Sequence, residues 1–144
     1  MAALKEEASP PPLAQEKLRV REFYQSYLDA CNEQDFDRMQ QFYASPHVLV
    51  DGEPRTPSQL IKRARSVVAG FPDWRLEVWH FAVDGDLVYV HLRLGGTHTA
   101  AFQGVEATGH RVETTEFALY RLVDGNFVEI WPMLDMEAVM RQIR

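Results

Sequence analysis

The sequence predicts an α+β fold in which N-terminal helices pack against a curled antiparallel sheet and enclose a pocket. Three observations carry this. Apolar residues recur with a helical period up to Val68, the period changes to two after "GFPDW", and the strand-like runs are divided by "DGD" and "DGN", both hairpin signals. Segregated helices and strands of this kind belong to the α+β class.

The elements follow in order. "MAALKEEASPPPLA" is polar and proline-rich, so residues 1–14 are expected to form a flexible lead, with one domain spanning 15–144. Val20, Phe23, Tyr24, Tyr27, Leu28 and Cys31 lay one apolar stripe along a helix from about Gln15 to Cys31. Asp35 can N-cap a second short helix that buries Phe36, Met39, Phe42 and Tyr43. "SPHVLVDGEP" reads as a short strand alternating at Val48 and Val50 and ending in a turn. Thr56 and Pro57 are a cap and first-turn pair for a third helix bearing Leu60, Ile61, Ala64, Val67 and Val68. Four strands then form a meander: "WRLEVWHFAV", "LVYVHLRLGGTHTAAF", "RVETTEFALYRLV" and "NFVEIWPML". Gly95 and Gly96, inside the second of them, are expected to mark a bulge or bend that helps the sheet curl. "DMEAVMRQI" closes the chain as a short helix.

Composition narrows the function classes. Of the 144 residues, 46% are hydrophobic, enough for one ordinary core, and the formal charge of −6 argues against nucleic acid as a partner. The basic run Lys62–Arg65 reads as a solvated helix face. The single cysteine, Cys31, excludes an internal disulfide. No apolar run suits a membrane span and no secretory signal is evident, so a cytoplasmic protein is expected. Histidines 47, 80, 91, 98 and 110 show no ligand spacing, and no phosphate-cradling glycine motif occurs, so neither metal nor organic cofactor is expected. "LVYVHLRL" leaves apolar residues on both faces of its strand. That pattern predicts a homodimer through the sheet.

Asp135 stands before the closing helix and reads first as an N-cap; a general base is the second reading, and the two roles are compatible. His98 shares parity with Val88, Val90, Leu92 and Leu94 if no bulge intervenes, so it would sit on their apolar face. His80 could line the same pocket. Tyr24 and Tyr27 belong to the first helix's stripe, with one hydroxyl able to reach a ligand. Trp131 reads as both core and pocket wall. Phe127, Met133 and Leu134 complete the apolar surroundings expected for Asp135, while Asp51 and Glu129 are the other strand acids able to act as base.

An ordered set of short motifs runs through the C-terminal half: Gly96-Thr97-His98-Thr99, Gly104, Thr108-Gly109, Asp124-Gly125, Glu129 with Trp131, and Asp135. In this order they resemble the SnoaL-like polyketide cyclases, within the wider NTF2-like group of α+β cone folds. The chain departs from the family pattern at "VEATG", at His110 and at Asp51. The resemblance implies a cofactor-independent enzyme that closes a carbon ring on a polyketide-type ester by an intramolecular aldol reaction. Asp135 would be the general base in a mostly apolar pocket and His98 the hydrogen-bond donor to the enolate. The substrate would be a small hydrophobic or aromatic, polyketide-like molecule. An isomerase or epoxide hydrolase on the same architecture is the neighbouring alternative, the latter needing Arg93 or Arg111 to point inward. A non-catalytic binding or dimerisation module is the alternative of another class, and an unpaired acid in an enclosed pocket separates it from an enzyme.

Overall fold

The computed structural model describes residues 12–144. The first helix, α1 (Pro12–Glu33), begins three residues before the expected boundary. Proline suits that first turn because its missing N–H would have no partner there. The rest of the expected lead lies outside the described residues. α1 buries Tyr24, Tyr27, Leu28 and Ala30, one stripe at helical spacing. At its end the Asn32 side chain accepts from the Leu76 N–H (2.8 Å) and donates to the Leu76 carbonyl (3.0 Å), which pins the helix to a strand far along the chain.

α2 (Phe36–Gln40) starts where expected, with the Asp35 carboxylate accepting from the Arg38 N–H. A hairpin follows, β1 (Val48–Val50) and β2 (Glu53–Arg55), where only its first strand was expected. Asp51, at φ +52°, and Gly52, at φ +81°, make its turn. α3 (Pro57–Gly70) carries a capping box: Thr56 Oγ1 accepts from the Gln59 N–H while Gln59 Oε1 accepts from the Thr56 N–H.

The remaining elements are β3 (Arg75–Asp84), β4 (Leu87–Thr97), β5 (Arg111–Val123), β6 (Asn126–Leu134) and α4 (Met136–Ile143). β3 to β6 form the expected antiparallel meander. The sheet is larger than that meander, however, with six strands in the order β2-β1-β6-β5-β4-β3 and β1 parallel to β6. It curls without closing, and α1, α2 and α3 cover its inner face. No described helix is long and apolar enough to cross a membrane.

The bulges are not where the glycines pointed. β4 pairs with β5 without interruption from Leu87–Arg121 to Thr97–Arg111, straight through Gly95 and Gly96. These glycines serve close approach instead. A Cβ on Gly95 would lie 2.6 Å from the Val112 carbonyl oxygen, and one on Gly96 3.0 Å from the Asp73 carboxylate and 3.2 Å from Phe71 Cβ. The true irregularities are two single-residue insertions. Trp79 is extra in β3, between the pairs Val78–Leu92 and His80–His91. Val128 is extra in β6, between Arg121–Glu129 and Leu122–Phe127. Each insertion reverses which face every later side chain of its strand occupies.

The core is aromatic at its centre. Phe127 is fully buried and meets Tyr27 at 5.1 Å and Phe23 at 5.5 Å, both edge-on, and Tyr120 at 4.7 Å. Edge-on aromatic pairs contribute about 0.5–1.5 kcal/mol each beyond their buried area.

Candidate functional site

The inner face of the sheet and the three covering helices leave a cavity of about 410 Å³. α1 supplies Tyr27 and Cys31, α2 supplies Phe36 and Met39, and α3 supplies Leu60, Arg63, Ala64, Val67 and Val68. The strands contribute Leu76, Leu94, Glu116, Pro132 and Leu134, with Trp74 just before β3. A smaller lobe of about 140 Å³ shares Tyr27, Leu60, Arg63, Leu76, Glu116 and Pro132 and adds Tyr43, Val50, Tyr120 and Ile130. Only two of these side chains are charged at neutral pH in water, Arg63 and Glu116.

Glu116 is the unusual member. It stands on β5 at the inward parity of Val112, Thr114, Ala118 and Tyr120, all buried. No hydrogen bond or ion pair to its carboxylate occurs among the described residues. Burial among apolar walls, the sole cause of its shift, pushes its carboxyl up from 4.5 to about 7. A carboxylate so placed is poised to exchange protons near neutrality.

Beside it lies a pair of phenols. The Tyr27 and Tyr43 hydroxyls are 2.6 Å apart. Burial raises both above the ordinary tyrosine range, so both stay protonated. Two hydroxyls sharing one hydrogen bond leave one O–H proton for a ligand oxygen. Tyr24 donates to the Tyr120 hydroxyl at 3.2 Å, behind this pair. Burial lifts the Cys31 thiol to about 12, which keeps it from acting as a thiolate nucleophile.

The residues singled out in the sequence are distributed differently. Tyr27 lines the cavity. Tyr24 and Phe127 are fully buried in the aromatic core. His98 lies on the buried side, as its parity implied, and stacks on Phe71 at 5.3 Å, but it lines none of the cavities described here. Its Nδ1 accepts from the Thr108 N–H at 3.2 Å and lies 2.9 Å from Thr108 Oγ1, while Nε2 is buried without a partner. Asp135 is exposed and caps α4, its carboxylate accepting from the Ala138 N–H at 3.0 Å. The pocket expected to unite Asp135, His98 and Trp131 is therefore not formed.

The two insertions explain the divergence. His80 shares parity with Leu76 and Val78, which face inward, but Trp79 interrupts the alternation and turns His80 outward. Trp131 and Glu129 share parity with Phe127, and the Val128 insertion turns both from the inner face. Asp51, His80 and Trp131 thus line a groove of about 460 Å³ on the outer face, with Tyr89, His91, Phe117 and Met133. There His80 and His91 meet Nδ1 to Nδ1 at 3.0 Å with ring planes 6° apart, and the His91 ring stacks on Phe117 at 4.2 Å. Glu129 is held by Arg121 Nε (3.0 Å) and Trp131 Nε1 (2.7 Å), contacts that lower its carboxyl from the ordinary range, Trp131 foremost. Arg93 and Arg111 are likewise engaged on the surface, with Glu113 (2.6 Å) and Asp73 (3.4 Å). Neither arginine lines the inner cavity, where an epoxide hydrolase would need it.

Glu116 escaped the sequence reading although its signal was present. In "RVETTEFALY" it is the one acid at the parity of the apolar inward positions, and an acid in a core register calls for an explanation.

Comparison with known proteins agrees with this architecture. A family model described as SnoaL-like polyketide cyclase matches residues 20–143. No curated protein matches. Among solved structures, AclR, a candidate hydroxylase from Streptomyces galilaeus, superposes with a TM-score of 0.80 at 23% identity, over 88% of this chain and 96% of its own. A SnoaL-like polyketide cyclase from Agrobacterium tumefaciens gives a TM-score of 0.74 at 26% identity, covering 87% of this chain and 98% of its own. IdmH, a candidate polyketide cyclase from Streptomyces antibioticus, gives 0.76 at 26% identity, covering 85% and 96%.

Proposed function

Because the chain belongs to the SnoaL-like polyketide cyclase family, we propose that it is a cofactor-independent cyclase whose general base is Glu116. The observation that carries this reading is a carboxyl raised to about 7 inside an otherwise apolar cavity. A binding module has no need to keep such a group; a proton-transfer enzyme does.

The chemistry follows from what faces the cavity. Glu116, ionised above about pH 7, removes a proton from a carbon between two carbonyl groups. The electron pair moves onto the neighbouring oxygen as an enolate, which accepts a hydrogen bond from the Tyr27–Tyr43 pair. The enolate carbon then attacks a second carbonyl of the same molecule, forming the ring C–C bond as that C=O π bond opens. The resulting alkoxide takes back the proton held by Glu116, so the base is regenerated and no other reactant is consumed. Phe36, Met39, Val67 and Leu134 give the cavity apolar walls, and its volume falls within the ~300–1,000 Å³ usual for small-molecule sites. A hydrophobic or aromatic polyketide-like substrate suits such walls. Asp135 in this reading shapes the fold by capping α4.

The outer face supports a second part of the proposal, a homodimer through the sheet. Trp79, Tyr89, Phe117, Trp131 and Met133 are all exposed large apolar side chains on that face. Such a patch is characteristic of an interface.

The test is Glu116→Gln, assayed on poly-carbonyl esters that undergo ring closure. Turnover should fall by about 10²-fold or more. Full turnover in this variant would remove the base from Glu116.

A further inference from the structure

The second charged side chain of the cavity has no role in the scheme above. Arg63, on α3, lines both the main cavity and its smaller lobe, yet is itself exposed, which places it at the rim. It forms no ion pair among the described residues, and it is the one arginine among them that lines this cavity. It does not serve Glu116 either: burial alone accounts for the behaviour of that carboxyl, with no contribution from a nearby guanidinium. The two charges are thus separate features of one apolar space, an acid in the wall and a cation at the opening.

The geometry points to a substrate with a carboxylate at the end that remains at the rim, held by Arg63 while the apolar, enolisable part reaches Glu116. This inference rests on the cyclase reading and adds the substrate's charge to it. A planar guanidinium binds a carboxylate through two parallel hydrogen bonds, which fixes orientation as well as supplying affinity. A rim anchor also sets which carbon of a long chain lies against the base. A neutral ester would lose that anchor. The neighbouring Arg65 does not compete for it, since its guanidinium stacks on Phe36 at 4.3 Å.

The three tryptophans allow the test to be read locally. Trp74 lines the inner cavity, whereas Trp79 and Trp131 are exposed on the outer face. Their indole N–H resonances in ¹⁵N-labelled protein, assigned with Trp79→Phe and Trp131→Phe, therefore separate cavity binding from binding to the outer groove. The probes are 2-naphthylacetate and its methyl ester, equal in apolar body and different in charge. The expected result is that the acid shifts the Trp74 resonance with about tenfold higher affinity than the ester, an order of magnitude suited to a charge-assisted pair. Arg63→Gln should bring the acid down to the ester's affinity and leave the ester unchanged, and Arg63→Lys should restore part of the preference. The readout is binding and not turnover, so it is independent of whether Glu116 is the base. Equal affinity for acid and ester in the native protein, or a preference unaffected by Arg63→Gln, overturns the inference and leaves the cyclase reading in place. Failure of both probes to shift Trp74 overturns both the anchor and the cavity as the binding site.

Discussion

Substituting Glu116 by Gln should stabilise the protein, and only at higher pH. The side chain lies in an apolar wall without a partner, so its charge is the costly part and its shape is not. Below pH 4.5 the carboxyl is protonated in both folded and unfolded chains and carries no penalty. Between 4.5 and about 7 the unfolded chain releases its proton first, so stability falls as pH rises; above about 7 the penalty is complete. Raising a carboxyl from 4.5 to about 7 corresponds to about 3 kcal/mol. Gln has nearly the shape of the protonated acid and never ionises. Glu116→Gln should therefore match the native protein at pH 4.5 and exceed it by about 3 kcal/mol at pH 8, or about 10 °C in Tm at roughly 3 °C per kcal/mol for a domain of this size. Thermal denaturation followed by circular dichroism at the two pH values measures this without any substrate. An equal Tm difference at both pH values, or a variant less stable than the native protein at pH 8, would refute the claim that an uncompensated carboxylate is buried there.

Other outcomes follow from the same structure. Asp135→Ala should cost about 1 kcal/mol in urea denaturation through the lost cap of α4, while Asp135→Asn keeps the cap and full turnover. A loss of turnover in Asp135→Asn as deep as that of Glu116→Gln would return the base to Asp135. Gly95→Ala should destabilise by about 1–3 kcal/mol, since its Cβ would meet the Val112 carbonyl oxygen and backbone cannot yield as a side chain can. Placing charge in the outer patch with Phe117→Lys and Trp131→Lys together should halve the mass found by sedimentation, with the Glu116 cavity unaffected. An unchanged mass would remove the sheet from the interface.

The helices were legible because their signals are local. Asp35, Thr56 and Asp135 each accept from a backbone N–H in the first turn that follows, as their positions before apolar periodic runs implied. The hairpin turns at Gly85 and Gly125, both at positive φ, were equally local. What sequence could not supply was register. His80 and Trp131 lie on strands that were placed correctly, yet one inserted residue in each strand moves them to the other side of the sheet. Neither Trp79 nor Val128 has the conformational signature that glycine has, so the insertions follow from how neighbouring strands fit together and not from a residue preference. Gly95 and Gly96 drew attention to a bend that is absent because close packing can require glycine as much as a bend can. The parallel pairing of β1 with β6 joins segments some eighty residues apart, and no pattern within either strand encodes it. Glu116 was readable in principle from the parity of Val112, Ala118 and Tyr120, on a strand without an insertion over that stretch.

The most direct test of the account is the titration of the Glu116 side-chain carboxyl by ¹³C NMR in glutamate-labelled protein, with the resonance identified by its absence in Glu116→Gln. A midpoint near pH 7 is expected. A midpoint near 4.5 would show a solvated or paired carboxylate, and would contradict Glu116 as the poised base of this cavity.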